Sequence, residues 1–64
     1  MDYSSINQYL NQEVLLTLKN GFWYKAKILS VSEQSVVFTE LKGRTISVSP
    51  EQIVLIEGVQ NGRG

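Results

Sequence analysis

The sequence contains no cysteine and no histidine, and only one of its 64 residues is proline. Without cysteine it has no disulfide to stabilise it, and without either residue it lacks the ligands that structural zinc prefers. A domain of this length buries only about 60% of the surface that its unfolded chain exposes. Because small domains usually gain stability from a disulfide, a metal or self-association, these absences predict a homo-oligomer with no metal and no cofactor.

Long apolar runs are also missing, since no stretch approaches the roughly 18 residues that span a bilayer. Residues 1–5 lack the basic start and the apolar core of a secretion signal, so we expect a cytoplasmic protein with no membrane partner. Six acidic residues balance six basic ones. This neutrality counts against tight, non-specific binding of phosphate backbones but leaves room for a local basic patch.

Few side chains in this sequence could carry catalysis. Histidine and cysteine are absent, and no serine has a plausible base beside it. The glutamates are scattered over separate predicted turns and strands, where a solvated surface explains each of them better than a general acid. They are Glu13, Glu33, Glu40, Glu51 and Glu57. The sequence therefore predicts a binding protein and not an enzyme.

The N-terminal segment predicts a short helix that ends near residues 11–12. Ser5 and Gln8 have the S-x-x-Q spacing of a capping box, in which each side chain satisfies an unpaired backbone N–H. The apolar residues of this helix form one stripe, which consists of Tyr3, Ile6 and Leu10. A helix of about two turns is unstable alone, so it must pack on the rest of the domain.

From Glu13 onward the sequence alternates with the two-residue period of strands. Asn20-Gly21 is a strong hairpin signal, because both residues tolerate the positive φ of a tight turn. The next strand, 22–31, is so long that it has to bend around a compact core. The five predicted strands are 13–19, 22–31, 36–41, 44–48 and 53–56. We expect a mainly β domain over 1–58, a strongly bent antiparallel small barrel, followed by a flexible polar tail at 59–64.

The first hairpin resembles the first motif of the Sm/LSm family, most closely in its bacterial Hfq branch. Asn20-Gly21, Tyr24 and Ile28 have the spacing of that motif. The second motif is matched by Val48, Ser49-Pro50, Ile53 and Ile56. The similarity covers roughly residues 5–58. It implies an Sm-like (SH3-like) barrel that forms a homo-oligomeric ring and binds single-stranded RNA, as an RNA chaperone or in RNA metabolism.

The expected ring is built from edge strands. An open five-stranded barrel leaves unpaired backbone groups on its fourth and fifth strands, and a cyclic ring pairs one subunit's edge with the next. The resemblance implies about five to seven subunits, a closed cyclic assembly. The predicted interface residues are Ile46, Val48, Ile53, Val54, Leu55 and Ile56.

The stretch after the Asn-Gly turn combines aromatic and basic residues. Alternation places Trp23, Lys25 and Lys27 on one face, an arrangement that suits stacking a base and holding its phosphate. The resemblance implies that this outer face binds adenine-rich RNA, as in Hfq. Alternatively, Trp23 covers a neighbouring subunit or the end of the barrel. The candidate RNA-binding residues of the outer face are Thr17, Lys19, Phe22, Trp23, Tyr24, Lys25 and Lys27.

A second candidate RNA site lies in two loops that would line the pore of a ring. Its residues are Ser32, Gln34, Ser49 and Gln52. Gln34 could hydrogen-bond a base edge, as glutamines of this loop do in Hfq, although polar turn residues are common without any such role. The family's uridine-gripping residues are absent, since Ser32 replaces an aspartate and Ser49-Pro50 replaces Arg-Gly. Glu33 and Glu51 add negative charge, which repels a phosphate backbone.

Two other functions stay open. One is a ring-forming scaffold or protein-interaction module that retains the fold and has lost the pore-side RNA site. The neutral net charge and the replaced pore residues favour it. The other is a monomeric SH3-like adaptor that holds an extended peptide with its aromatic residues. Such an adaptor would keep a mass near 7.2 kDa in solution, whereas a ring would not.

Overall fold

The computed structural model describes residues 1–58, which form one short helix and five antiparallel strands in a single sheet. The elements are α1 (Tyr3–Asn7), β1 (Glu13–Leu18), β2 (Trp23–Val31), β3 (Val36–Glu40), β4 (Thr45–Val48), a 3-10 turn (Pro50–Gln52) and β5 (Ile53–Gly58). The mainly β prediction is confirmed. The predicted tail at 59–64 lies outside the described residues.

The strands follow the order β4-β3-β2-β1-β5, and the sheet is not closed. Within residues 1–58, β4 pairs only with β3, and β5 pairs only with β1. The two outer strands therefore each keep one edge without a partner strand, and on β5 the N-terminal ammonium donates to the Ile53 carbonyl at 3.0 Å. In the same part of the chain, no helix combines the length and the apolar character needed to cross a membrane.

The predicted Asn-Gly hairpin joins β1 to β2. Gly21 has a φ of 92°, in the left-handed region that glycine adopts without a steric penalty. The side-chain oxygen of Asn20 accepts a hydrogen bond from the backbone N–H of Phe22 at 3.0 Å, and the N–H of Leu18 donates to the Phe22 carbonyl at 2.8 Å. These bonds tie the turn together, and β2 begins one residue later than predicted, at Trp23.

The long strand β2 bends at a bulge. Ile28 and Ser30 lie two residues apart on β2 but pair with consecutive residues of β3, so Leu29 is the extra residue. Before the bulge the even-numbered Ile28 is buried, whereas beyond it the odd-numbered Val31 packs against the core. A bulge of this kind bends its strand, so Leu29 is the position at which the predicted bend of the second strand is expected.

The core lies on one face of the sheet and is closed by the helix. Alternate strand residues point into it, as the two-residue period predicts, and each fully buried large side chain stabilises the fold by about 1.5–3 kcal/mol. The buried apolar residues are Ile6, Val14, Leu16, Leu18, Ala26, Ile28, Val36, Phe38, Ile53 and Ile56.

The helix is capped by Asp2 and not by the predicted capping box. The Asp2 carboxylate accepts a hydrogen bond from the backbone N–H of Ser5 at 3.0 Å, and this bond lowers the pKa of Asp2 below its usual value. The side chain of Gln8 donates to the Ser5 carbonyl at 2.9 Å instead of satisfying a backbone N–H. The capping-box prediction is therefore wrong, because the helix begins at Tyr3 and Ser5 already lies inside its first turn.

The predicted apolar stripe on the helix is also wrong in part. Ile6 is buried, but Tyr3 and Leu10 are both exposed. The helix ends at Asn7, so Leu10 belongs to the following turns and does not share a helical face with Ile6. At Asn11 the φ is 65° and the backbone N–H donates to the Ile28 carbonyl at 2.8 Å, which directs the chain into β1.

Candidate nucleic-acid interface

An open groove of about 400 Å³ lies where the start of β2 meets the turn between β3 and β4. We call it the hairpin groove, and its lining residues are Trp23, Tyr24, Lys25, Glu40, Leu41, Lys42 and Arg44. The antiparallel register brings these segments together, because Ala26 pairs with Glu40 and the N–H of Leu41 donates to the Lys25 carbonyl at 3.2 Å.

The turn from β3 to β4 forms one wall of the hairpin groove. The N–H of Gly43 donates to the Glu40 carbonyl at 2.8 Å, and the N–H of Glu40 donates to the Arg44 carbonyl at 2.9 Å. Gly43 has a φ of 94°, which allows the chain to reverse within three residues. The result is a short, hydrogen-bonded tip that presents Lys42 and Arg44 to the groove.

Trp23 and Leu41 provide the exposed apolar surface of the groove. Trp23 is 64% exposed and Leu41 is 66% exposed, although side chains of this size are costly to leave in water. Trp23 pairs across the sheet with Thr17, and Lys25 follows it on the same face. An exposed indole beside a lysine is the arrangement that stacks a nucleobase and attracts its phosphate.

Glu40 and Arg44 form an ion pair at the edge of the groove. The Arg44 guanidinium donates to the Glu40 carboxylate at 3.0 Å. Glu40 is buried, whereas the side chain of Arg44 is 72% exposed. Hydrogen bonding to Glu40 raises the pKa of Arg44 and fixes one side of its guanidinium. The remaining N–H groups of Arg44 are free to meet a ligand from solvent.

Tyr24 lies on the core side of β2. Its ring packs against Phe38 with a centroid distance of 5.6 Å, and it is half-buried. Tyr24 therefore forms part of the groove wall and is not a freely exposed stacking residue. Alternation along β2 predicts this position opposite Trp23, and the role of Tyr24 in RNA binding stays a prediction.

The other predicted outer-face residues do not line the groove. Lys27 pairs across the sheet with Glu13, an opposite charge. Lys19 and Phe22 lie at the tip of the first hairpin, and both are exposed. Thr17 is half-buried on β1. Of the seven predicted residues, only Trp23, Tyr24 and Lys25 meet in the groove.

Sequence reasoning missed the half of the groove that comes from the β3–β4 turn. Lys42 and Gly43 were recognised only as a turn, and Leu41 and Arg44 were read as strand residues. The two predicted hairpins could have indicated this half of the groove. Antiparallel pairing of β2 with β3 brings the start of β2 next to the end of β3 and the turn that follows it. A basic turn beside an aromatic strand start would then have indicated the site.

The predicted pore-loop residues lie away from the hairpin groove. Ser32 belongs to a tight turn in which its Oγ accepts the N–H groups of Gln34 and Ser35, at 3.3 and 3.1 Å. Pairing of Val36 with Val48 brings this turn and Ser49 to the same end of the sheet. The carbonyl of Gln52 accepts the N–H of Lys19 at 2.8 Å. The Ser32 hydroxyl thus already has partners within its own turn.

The predicted interface residues divide into two sets. Ile53 and Ile56 are buried in the chain's own core, so their side chains have no surface to offer a neighbour. Val54 and Leu55 are 51% and 49% exposed on β5, and Ile46 and Val48 are half-buried on β4. An interface at these strands would use backbone groups together with the exposed Val54 and Leu55.

No protein-family model, curated protein or solved structure gives a significant match to the chain. The chemistry of the groove is therefore inferred from its own side chains. The indole of Trp23 can stack, the ammonium groups of Lys25 and Lys42 can neutralise phosphates, and the guanidinium of Arg44 can donate hydrogen bonds in a fixed plane.

Proposed function

We propose that the chain is a ring-forming RNA-binding protein of the Sm/LSm type, which holds single-stranded RNA without catalysis, as an RNA chaperone or in RNA metabolism. The main support is the exposure of Trp23 within the hairpin groove, beside Lys25 and Lys42. Stacking of one base on an aromatic side chain contributes about 1–3 kcal/mol and tolerates any sequence.

Charge supports the same proposal on a local scale. The whole chain is neutral, but the groove contains three cations and one carboxylate, which is already paired with Arg44. Lys25 and Lys42 thus give the groove a positive field that attracts a phosphate backbone. Their contribution predicts binding that weakens as salt rises.

The unpaired edges of β4 and β5 support a ring. Exposed strand edges favour pairing with another chain, and a cyclic assembly satisfies both edges of every subunit. In addition, Val54 and Leu55 expose apolar surface on β5. The strand order β4-β3-β2-β1-β5 leaves these two edges at opposite ends of one sheet, which suits head-to-tail closure.

Fluorescence anisotropy of labelled oligo(A) and oligo(U) tests RNA binding, at low and then moderate salt. Trp23 is the only tryptophan, so quenching of its fluorescence reports contact with a base directly. We expect saturable binding with quenching, and a loss of about 1–3 kcal/mol in Trp23→Ala. Leu29→Ala is the matched control, because Leu29 is exposed on the same strand but away from the groove. Absence of binding at low salt would overturn the RNA proposal.

Native mass spectrometry tests the ring. We expect a single species of several subunits, which Leu55→Lys converts to monomer because the lysine places charge on the β5 edge. Leu29→Lys carries the same charge on an interior strand and should leave the assembly intact. If Trp23→Ala dissolves the assembly instead, Trp23 belongs to a subunit interface and the groove is not the RNA site.

A ring-forming scaffold is the second candidate, favoured by one observation at the other end of the sheet. The Ser32 hydroxyl is occupied by its own turn, the adjacent Glu33 is exposed there, and Glu51 is exposed in the 3-10 turn before β5. A pore-side RNA site is therefore poorly supported. An assembly of several subunits that binds neither oligo(A), oligo(U) nor a guanosine-containing oligonucleotide would establish the scaffold and exclude RNA binding.

A further inference from the structure

We infer that the hairpin groove selects guanine over adenine in single-stranded RNA, with Arg44 as the residue that reads the base. This inference rests on the proposed function and concerns the specificity of the same groove. It differs from the adenine preference that the family resemblance implies. The relevant observation is that four side chains of the groove lining only donate hydrogen bonds, whereas acceptors come only from Tyr24 and Glu40.

The side chains that face the groove offer donors and very few acceptors. Lys25, Lys42, Arg44 and the indole of Trp23 can only donate. The one carboxylate, that of Glu40, is buried and already accepts a hydrogen bond from Arg44 at 3.0 Å. A ligand that presents acceptors therefore meets four donating side chains in this groove, whereas an amino group meets only the hydroxyl of Tyr24 and the carboxylate that already pairs with Arg44.

Only one base presents two adjacent acceptors on its Hoogsteen edge. Guanine offers O6 and N7 there, adenine offers N7 beside an amino donor, and cytosine offers an amino donor. Uracil has a single carbonyl oxygen at the corresponding position. The planar fork of an arginine matches O6 and N7 of guanine with two parallel hydrogen bonds, which is the commonest specific arginine contact to a base.

The ion pair with Glu40 prepares Arg44 for this role. A free arginine side chain loses considerable rotamer freedom when it binds, and a guanidinium already held on one side loses less. Arg44 remains 72% exposed, so its other N–H groups are reachable from the groove. The volume of about 400 Å³ is near the lower end of the range of about 300–1,000 Å³ for small-ligand clefts, which suits one nucleotide.

Competition with matched RNA probes tests the inference. Each probe is a short uridine oligonucleotide with a single central guanosine, adenosine or 7-deazaguanosine. We expect the guanosine probe to bind at least about fivefold more tightly than the adenosine probe. The 7-deazaguanosine probe lacks the N7 acceptor and should lose most of this preference, although the protein is unchanged.

Two variants assign the preference to Arg44. Arg44→Lys keeps the charge but removes the planar fork, so it should reduce the preference for the guanosine probe over the adenosine probe. Lys42→Gln is the matched control in the same turn and should weaken both probes by the same factor while the preference persists. Thermal unfolding of each variant identifies any loss of folding, and the 7-deazaguanosine comparison does not depend on a variant at all.

The outcomes separate this inference from the proposed function. Equal binding of the guanosine and adenosine probes would overturn guanine selection and leave RNA binding intact. An undiminished preference in Arg44→Lys would show that Arg44 does not read the base, and an equal loss for all probes in that variant would assign Arg44 to the phosphate backbone. Either result would overturn the inference. Failure of every probe to bind would overturn the proposed function together with it.

Discussion

The rings of Tyr24 and Phe38 lie 5.6 Å apart, centroid to centroid, with their planes tilted by 49°. Phe38 is completely buried in the core, whereas Tyr24 lines the hairpin groove. A tilted aromatic contact of this kind contributes about 0.5–1.5 kcal/mol beyond the area that it buries. The position of the groove wall is therefore coupled to the packing of the core beneath it.

Replacement of Phe38 by alanine should lower the free energy of unfolding by about 3–5 kcal/mol, because it leaves a cavity and removes the support of Tyr24. This is a large part of the roughly 5–15 kcal/mol that stabilises typical domains. Urea denaturation followed by the fluorescence of Trp23 measures the change. Leu29→Ala, at an exposed position, should change the same quantity by less than about 0.5 kcal/mol. A loss below about 1 kcal/mol in Phe38→Ala would contradict the assigned core.

The cap at Asp2 should make stability depend on acid pH. Its pKa is lowered from the usual 3.8, chiefly by the hydrogen bond from the backbone N–H of Ser5. The ionised cap therefore stabilises the folded state above pH 3.8, and this stabilisation is lost as the pH falls through the lowered folded pKa. Thermal denaturation across the acid range should show this loss, and Asp2→Asn should keep a cap without that pH dependence.

Asp2→Ala should destabilise the domain at neutral pH, whereas Ser5→Ala should be nearly neutral. This contrast distinguishes the observed cap from a capping box, in which Ser5 would be the essential residue. A destabilising Ser5→Ala beside a neutral Asp2→Ala would contradict the position of the helix start.

Gly43→Ala should cost about 1–2 kcal/mol, because the φ of 94° is unfavourable for a residue with a Cβ atom. A Cβ atom at this position would meet no atom within 4 Å, so the cost comes from the backbone conformation and not from a clash. Chemical denaturation measures it. Gly58→Ala is the control, since Gly58 also has open space around it but does not have a positive φ. Equal effects at the two positions would contradict the turn geometry at Gly43.

Lys25 and Lys27 should differ in their contribution to RNA binding. Lys25 lines the groove, whereas Lys27 lies opposite Glu13 on the neighbouring strand. One phosphate contact to single-stranded RNA contributes about 0.7 to the slope of log affinity against log salt concentration. Lys25→Gln should reduce the slope by about that amount. Lys27→Gln should reduce it by clearly less, and an equal reduction would extend the binding face beyond the groove.

The elements that were predicted correctly are those whose structure is determined by residues close together in the sequence. The Asn20-Gly21 hairpin and the alternation around it need only local turn chemistry and a two-residue period. The helix start was predicted at the wrong residue because aspartate and serine are both favoured N-cap residues. Residue type alone therefore does not choose between Asp2 and Ser5. The last strand extends to Gly58, beyond the predicted end at Ile56, because Glu57 and Gly58 pair with Leu15 and Val14 of β1.

The groove could be predicted only in half. Trp23 and Lys25 were identified from alternation, but Leu41, Lys42 and Arg44 reach the same place through the pairing of β2 with β3. Such pairing joins residues that are distant in sequence, and no local pattern in either strand specifies it. The burial of both Ile53 and Ile56 was likewise a tertiary outcome, because an irregularity at Val54 in the pairing with β1 turns both side chains to the core.

Because of the bulge at Leu29, the fold depends more on the length of β2 than on which side chain occupies the bulge. Even-numbered residues face the core before the bulge and odd-numbered residues face it afterwards, so the strand has two halves of opposite parity. Deletion of Leu29 would merge the two parities into one regular ladder and remove the bulge, whereas insertion of a further residue there would turn one half inside out. Substitution of Leu29, which points to solvent, leaves both halves in place. This segment therefore tolerates a change of side chain at its bend far better than a change of length.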